Sequence, residues 1–267
     1  MSEIRSYRFE IASLHRTRVV HILLPTDYHT RNERFPVLYM HDGHNLFFPE
    51  RSYAGETWEI QNAIDHATGL GMLTPIVVGI ETDEHRMDEY SPWKSHYPKG
   101  LEISTFPEEV FGGEGQMYMD WLVQTLKPWV DQQFLTNPND TVIAGSSMGG
   151  LISLYALIQY VDVFRGAGVF SPAFWFAWDE IESFTQEKFP LGKHLYMDMG
   201  TAETSDNSNP DFANVYLRAS RRIAVIVASK PDTKIHYVEE ENAIHHESAW
   251  RRRFPHFLEL MYSMNQH

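Results

Sequence analysis

The feature that most constrains this chain is a series of short β-rich runs set among stretches of helical length. The runs are PVLYMH (36–41), PIVVGI (75–80), TVIAG (141–145), GAGVFS (166–171), HLYMDMG (194–200) and KIHYVEE (234–240). Helical stretches fall at about 56–68, 115–134, 148–160, 210–229 and 247–264. Runs that are apolar on both faces suit strands buried on both sides, and those belong to parallel sheets covered by helices. Two earlier segments, Tyr7–Ile11 and Arg18–Leu24, instead alternate apolar with polar residues and predict an antiparallel start. The expected fold is therefore α/β, a mostly parallel central sheet with helices on both faces, in one domain over residues 1–267. The region 81–114 carries Pro92, Pro98, Pro107 and no clear period, and is expected to be an irregular loop or lid.

Composition narrows the chemistry. The 267 residues include no cysteine, which removes disulfides, thiolate nucleophiles and Cys-ligated zinc. With 22 basic against 36 acidic residues the net charge is −14, the wrong sign for a nucleic acid or an anionic membrane surface. MSEIRSYRFEIASLHR contains no apolar core of a secretory signal, and no run approaches the ~18 apolar residues of a membrane span. The expectation is a cytoplasmic protein acting on a small molecule, with room for self-association into a homo-oligomer.

Gly145-Ser146-Ser147-Met148-Gly149 matches G-x-S-x-G. Chance places that pattern in roughly one chain in ten of this length, so its setting must carry the weight. TVIAG before it reads as a buried strand and MGGLISLYALIQY after it as a helix, the strand–turn–helix context of a nucleophile elbow. There the serine sits on a strained turn, and the following helix start offers backbone N–H groups to a developing anion. A glycine-serine turn that merely caps the helix is the plainer alternative.

A serine hydroxyl needs a base, and histidine has the appropriate ordinary pKa. In an elbow-bearing fold the order is Ser, acid, His, with the histidine on the loop after the last strand, where His245 and His246 both stand. Only one of them can face the serine. The acid belongs after HLYMDMG. Asp198 lies within that strand, Glu203 just past its end and Asp206 further on in a polar turn; Glu203 fits best as an acid that orients an imidazole. Oxyanion donors are expected from the Met148 N–H and from the loop His41-Asp42-Gly43-His44-Asn45, with Gly43 and His44 as candidates and Gly43 allowing a tight turn. His41, Asp42 and His44 could alternatively suggest a metal site, but the trio lacks further ligands of clear spacing.

Taken together, VLYMHDGHNLF (37–47), RMDEYSPW (86–93), AGSSMGG (144–150), SPAFW (171–175), MDMGTAE (197–203) and HHESAW (245–250) resemble the putative-esterase family of α/β hydrolases. That group includes esterase D, enterochelin-esterase-like hydrolases and feruloyl or acetyl-xylan esterases, and the resemblance runs over nearly the whole chain. It implies the α/β-hydrolase fold and a serine carboxylic-ester hydrolase working through an acyl-enzyme on Ser147, with no metal and no cofactor. The last motif, similar to His-x-Glu-x-x-Trp, implies His245 as base, and Gly200-Thr201-Ala202-Glu203 implies Glu203 as acid. Some relatives manage with a Ser–His pair. An acyltransferase with the same triad and a non-catalytic binding member of the fold are the competing functions. Trp93, Trp175, Phe176, Trp178 and Trp250 lie in segments expected to edge the site; of these, Trp93, Trp175 and Trp250 are the candidates for a substrate pocket.

Overall fold

The computed structural model describes residues 2–96, 110–207 and 209–263. The antiparallel start is a hairpin of β1 (Glu3–Ile11) and β2 (Arg16–Leu24), paired from Glu3 opposite Leu24 to Ile11 opposite Arg16. It joins β3 (Phe35–Met40) and β4 (Ile76–Ile80), while β5 (Lys94–His96) and β6 (Val110–Gly112) form a separate antiparallel pair. The rest of the large sheet is β7 (Thr136–Ser146), β8 (Gly166–Phe170), β9 (His194–Gly200) and β10 (Lys234–Glu240). Its order is β1-β2-β4-β3-β7-β8-β9-β10, antiparallel through the β2–β4 pairing and parallel from β4 onward.

The helices are α1 (His44–Phe47), α2 (Ile60–Gly69), α3 (Arg86–Glu89), α4 (Gly115–Trp121), α5 (Lys127–Gln133), α6 (Met148–Gln159), α7 (Trp178–Lys188), α8 (Phe212–Ala228) and α9 (Glu247–Tyr262). A π-helical turn, Leu122–Leu126, joins α4 to α5. Side chains alternate across each strand, so β3 divides its apolar residues between two cores. Val37 and Tyr39 join Val78, Ile143 and Val169 under α4 to α8. Leu38 and Met40 join Val77, Val142 and Ala144 under α2 and α9. Both sets are buried, which is why PVLYM needs no polar face: each such side chain contributes about 1.5–3 kcal/mol by leaving water.

The segment 81–114 includes regular elements among its described residues, where the sequence pattern predicts an irregular loop or lid. Its described part holds α3 and the β5–β6 pair, with Gly112 donating its N–H to Asp88 Oδ1 at 2.9 Å; the rest of the expected lid, 97–109, lies outside the described residues. One further helix, α7, follows the aromatic run after β8 and was not anticipated.

The topology itself selects a place for a site. From β3 the chain moves to β4 on one side and then returns to β7 on the other. Loops leaving the ends of β3 and β7 therefore diverge and open a crevice between them, the usual ligand position in open α/β sheets.

Candidate active site

Ser147 occupies that crevice. It follows the last residue of β7 and precedes the first of α6, with φ 59° and ψ −121°. A non-glycine residue at positive φ is strained, and the strain persists only where the surroundings hold it. Here they do: the Ser147 N–H donates to Phe170 O at 3.0 Å, and its carbonyl accepts N–H groups from Gly150 and Ala173 at 3.0 Å. A Cβ on Gly145 would come within 2.8 Å of the Gly149 backbone, so glycine there lets the strand and the helix meet at the turn.

His245 lies on the loop after β10, and its Nδ1 is 2.5 Å from Glu203 Oε2. The imidazole is flanked by the rings of Trp250, edge-on at 5.1 Å, and Tyr216, tilted at 5.3 Å. His246 diverges from it: its Nδ1 accepts the Ser248 N–H at 3.2 Å and caps α9. The two adjacent histidines thus differ in partner, one contacting a buried carboxylate and the other capping a helix.

Glu203 is wholly buried. Its second oxygen, Oε1, accepts the Gly200 N–H at 2.8 Å and the Ser171 hydroxyl. Burial pushes its carboxyl up, but hydrogen bonds from His245 and Ser171 and the Arg253 guanidinium outweigh this and hold it below the ordinary glutamate range. A Cβ on Gly200 would strike the Ala243 carbonyl and fall 2.8 Å from Glu203 Oε1, so glycine there admits both the neighbouring loop and the carboxylate. Ser171, with φ 42°, is the hub of this shell: its Oγ also accepts from Trp250 Nε1 at 2.8 Å and Arg253 Nη2 at 3.1 Å. The sequence carried a signal for Arg253 in particular. It interrupts the buried stripe Trp250, Phe254, Phe257, Leu258 and Met261 of α9, and a charge on such a stripe needs partners.

Asp198 belongs to the same shell from the other side. Its Oδ1 accepts the Ser171 N–H at 3.2 Å, its Oδ2 accepts Tyr196 O–H at 2.9 Å, and Arg253 Nη1 is 3.3 Å away. Burial pushes its carboxyl up to about 7 against the pull of Arg253. A folded-state value above the ordinary 3.8 means that folding takes up a proton, so this stability is present below that ordinary value and lost as pH rises through about 7. Asp198→Asn, which has no proton to lose, should therefore gain melting temperature relative to the unmodified protein between about pH 4 and pH 8. A difference that stays flat over that range would show that Asp198 is ionised throughout. Asp206 lies in a turn closed by its N–H on Thr204 Oγ1 at 3.0 Å, outside this shell.

The loop after β3 requires one correction. Gly43 has φ −50°, and the left-handed residue is Asp42, with φ 56°. Glycine is needed at 43 because a Cβ would strike the Gly79 backbone at 2.7 Å, and the Gly43 N–H is spent on Ile80 O at 2.7 Å. Nor do His41, Asp42 and His44 converge. His41 Nδ1 pairs with Tyr118 Oη at 2.9 Å, Asp42 takes Arg86, and among the described residues no three His, Asp or Glu side chains gather as metal ligands.

These elements enclose a cleft of about 500 Å³ lined by Ser147, His245, Met148, His44, Trp175 and Trp250, among others. Trp93 is not among its walls; it packs edge-on against Tyr155 and Phe184 at 5.7 and 5.5 Å. Tyr216, which the sequence did not single out, is buried behind the cleft with its hydroxyl 2.5 Å from Ser205 Oγ.

Comparison with known proteins agrees with this architecture. The chain is 24% identical over 249 residues to the uncharacterized protein YbbA of Bacillus subtilis (strain 168), covering 92% of each. It superposes on the BES protein of Bacillus cereus with a TM-score of 0.77 at 16% identity, covering 99% of this chain and 97% of that one. An IroE-like serine hydrolase from Shewanella oneidensis gives 0.77 at 20% identity, covering 96% and 80%. No helix among the described residues is long and apolar enough to cross a membrane. The family model described as Putative esterase matches residues 11–261, nearly the whole chain, and the chain belongs to that family of ester-cleaving α/β hydrolases.

Proposed function

We propose that this protein is a serine carboxylic-ester hydrolase in which Ser147 is the nucleophile, His245 the general base and Glu203 the acid that orients the base. One observation carries the reading: the strained serine and a histidine bonded to a buried carboxylate line the same cleft. An ionised carboxylate only accepts hydrogen bonds, so its contact with Nδ1 keeps the proton there and leaves Nε2 free to act as base. Ser147 Oγ attacks the ester carbonyl as its proton passes to His245 Nε2. The tetrahedral intermediate collapses, His245 returns the proton to the departing alcohol, and an acyl ester remains on Ser147. Water, deprotonated by the same imidazole, then releases the acid and restores the serine.

The negative oxygen of the intermediate needs two donors, and the N–H groups of Met148 and His44 are our assignment. Met148 opens α6, where an N–H has no carbonyl one turn earlier to bond. Of three successive N–H groups in the other loop, that of Gly43 donates to Ile80 O and that of Asn45 to Asp42 O at 2.8 Å. His44, between them, lines the cleft, and Gly43 does not.

An organophosphonate should therefore add one adduct per folded chain, at Ser147, as its phosphoryl group takes the place of the tetrahedral carbon. Peptide mapping after labelling checks this. Modification of Ser146, or none in folded protein, would remove Ser147 as the nucleophile.

A further inference from the structure

We propose that Arg86 is a positioning residue for catalysis, a brace that fixes the His44 and Met148 N–H groups relative to one another. The inference rests on the reading of those two groups as oxyanion donors and adds what keeps them in register. They come from loops far apart in the chain, one after β3 and the other after β7, so nothing local sets the distance between them. The Arg86 guanidinium touches both sides. Its Nε and Nη2 donate to Asp42 Oδ1 and Oδ2, each at 2.8 Å, and Nη2 also reaches Ser146 O at 3.4 Å. Asp42 lies two residues before His44, and Ser146 two before Met148.

The Asp42 end is held in a second way. Its φ of 56° is costly for a residue with a side chain, so the conformation has to be imposed. Arg86 grips the carboxylate while the Asp42 N–H donates to Tyr90 Oη at 3.1 Å, and the guanidinium sits 5.1 Å from the centre of the Tyr90 ring. Arg86 and Tyr90 are the first residue of α3 and the one that caps its end, so a single turn holds both the backbone and the side chain of Asp42. The loop also rests on the elbow: a Cβ on Gly149 would lie 3.4 Å from Asp42 Oδ2 and 3.2 Å from His41 Cβ. Asp42 is buried, and although burial pushes its carboxyl up, Arg86 brings it below the ordinary range, so the pair stays charged.

Stability alone gives a weak reason for such a pair, since Asp42 is buried and Arg86 half-buried, and an ion pair withdrawn from water seldom outperforms apolar side chains of similar volume. Geometry gives a stronger one. Oxyanion donors act only when fixed where charge will develop, and lysine, a point charge on a flexible stem, cannot span two carboxylate oxygens and a carbonyl as a planar guanidinium does.

The test uses the full chain with Arg86→Lys and Arg86→Ala, a chromogenic short-chain ester and an organophosphonate. Losing one oxyanion donor costs ~10²–10³-fold, so displacing one should lower kcat by about 10- to 100-fold in both variants. The phosphonate labelling rate should fall in parallel, because the adduct's oxygen uses the same donors, and KM should stay within about twofold. Added methylguanidinium should restore much of the kcat of Arg86→Ala. An unchanged kcat, a loss carried wholly by KM, or no rescue in a variant that melts cooperatively would overturn the proposal. If Arg86→Ala does not fold, Arg86→Lys decides by the same split between kcat and KM. Ser147→Ala, run alongside, separates the two inferences: a near-original rate there would defeat Ser147 as nucleophile and with it the site that the brace serves, whereas a crippled Ser147→Ala beside a fully active Arg86→Lys would defeat only the brace.

Discussion

Ser147→Ala and His245→Ala should each lower kcat by ~10⁶-fold, the scale seen when a serine protease loses either group, and the double variant should lose almost nothing more. The non-additivity is the informative part. Serine without its base remains a neutral hydroxyl, and the base without serine has no nucleophile to deprotonate, so either loss removes the whole covalent route. What survives is whatever the cleft contributes by binding and by its backbone donors. His246→Ala provides the contrast. Its imidazole accepts the Ser248 N–H at the head of α9, and an N-cap lost to alanine costs about 0.5–2 kcal/mol. The variant should melt earlier and turn over at nearly the original rate. Thermal melts and steady-state kinetics on the four variants check this, and a His246→Ala enzyme as impaired as His245→Ala would reverse the two assignments.

Much of this arrangement is legible in the sequence. β9 and β10 occupy the residues that their sequence patterns predict, 194–200 and 234–240, because both carry β-forming residues between clear breaks. The elbow was legible because its chemistry is local: strand, glycine, serine and helix lie within a few residues. The Glu203–His245 pairing spans 42 positions, and it could be anticipated only because loop order in this architecture implies it. Contacts with neither local pattern nor architectural order behind them went unread. Arg86 on Asp42, Ser171 on Glu203 and Tyr216 against His245 join segments whose separation says nothing about their distance. Helix α7 is obscured because its polar run, DEIESFTQEK, follows Trp175, Phe176 and Trp178, which suggest the edge of a site. Gly43 departs from its expected role for a different reason. Glycine after a strand suggests a turn, whereas here it makes room for the backbone of β4.

The acid offers the sharpest test of orientation as distinct from charge. Glu203→Gln is expected to lower kcat by ~10⁴-fold while the protein remains folded, the size of effect produced elsewhere by an acid-to-amide change that leaves the wrong histidine tautomer. The structure dictates which way the new amide would face. Glu203 Oε1 accepts the Gly200 N–H, so the glutamine oxygen must take that position; the reverse orientation would set an NH₂ group against a backbone N–H in a buried site. The NH₂ then faces His245 Nδ1 and must donate to it. That forces the imidazole proton onto Nε2, where it blocks uptake of the Ser147 proton. Asp198→Asn is the control. Its contacts are with Tyr196, the Ser171 N–H and Arg253, none of them the imidazole, so it should alter stability and leave the rate close to that of the unmodified enzyme. Steady-state rates and melting temperatures of both variants suffice. A folded Glu203→Gln enzyme at full rate would mean that Tyr216 and Trp250 orient His245 without an acid and that Ser147 and His245 work as a pair. A crippled Asp198→Asn enzyme would instead mean that Ser171 and Arg253 transmit the state of Asp198 to Glu203, making the two buried carboxylates one functional unit.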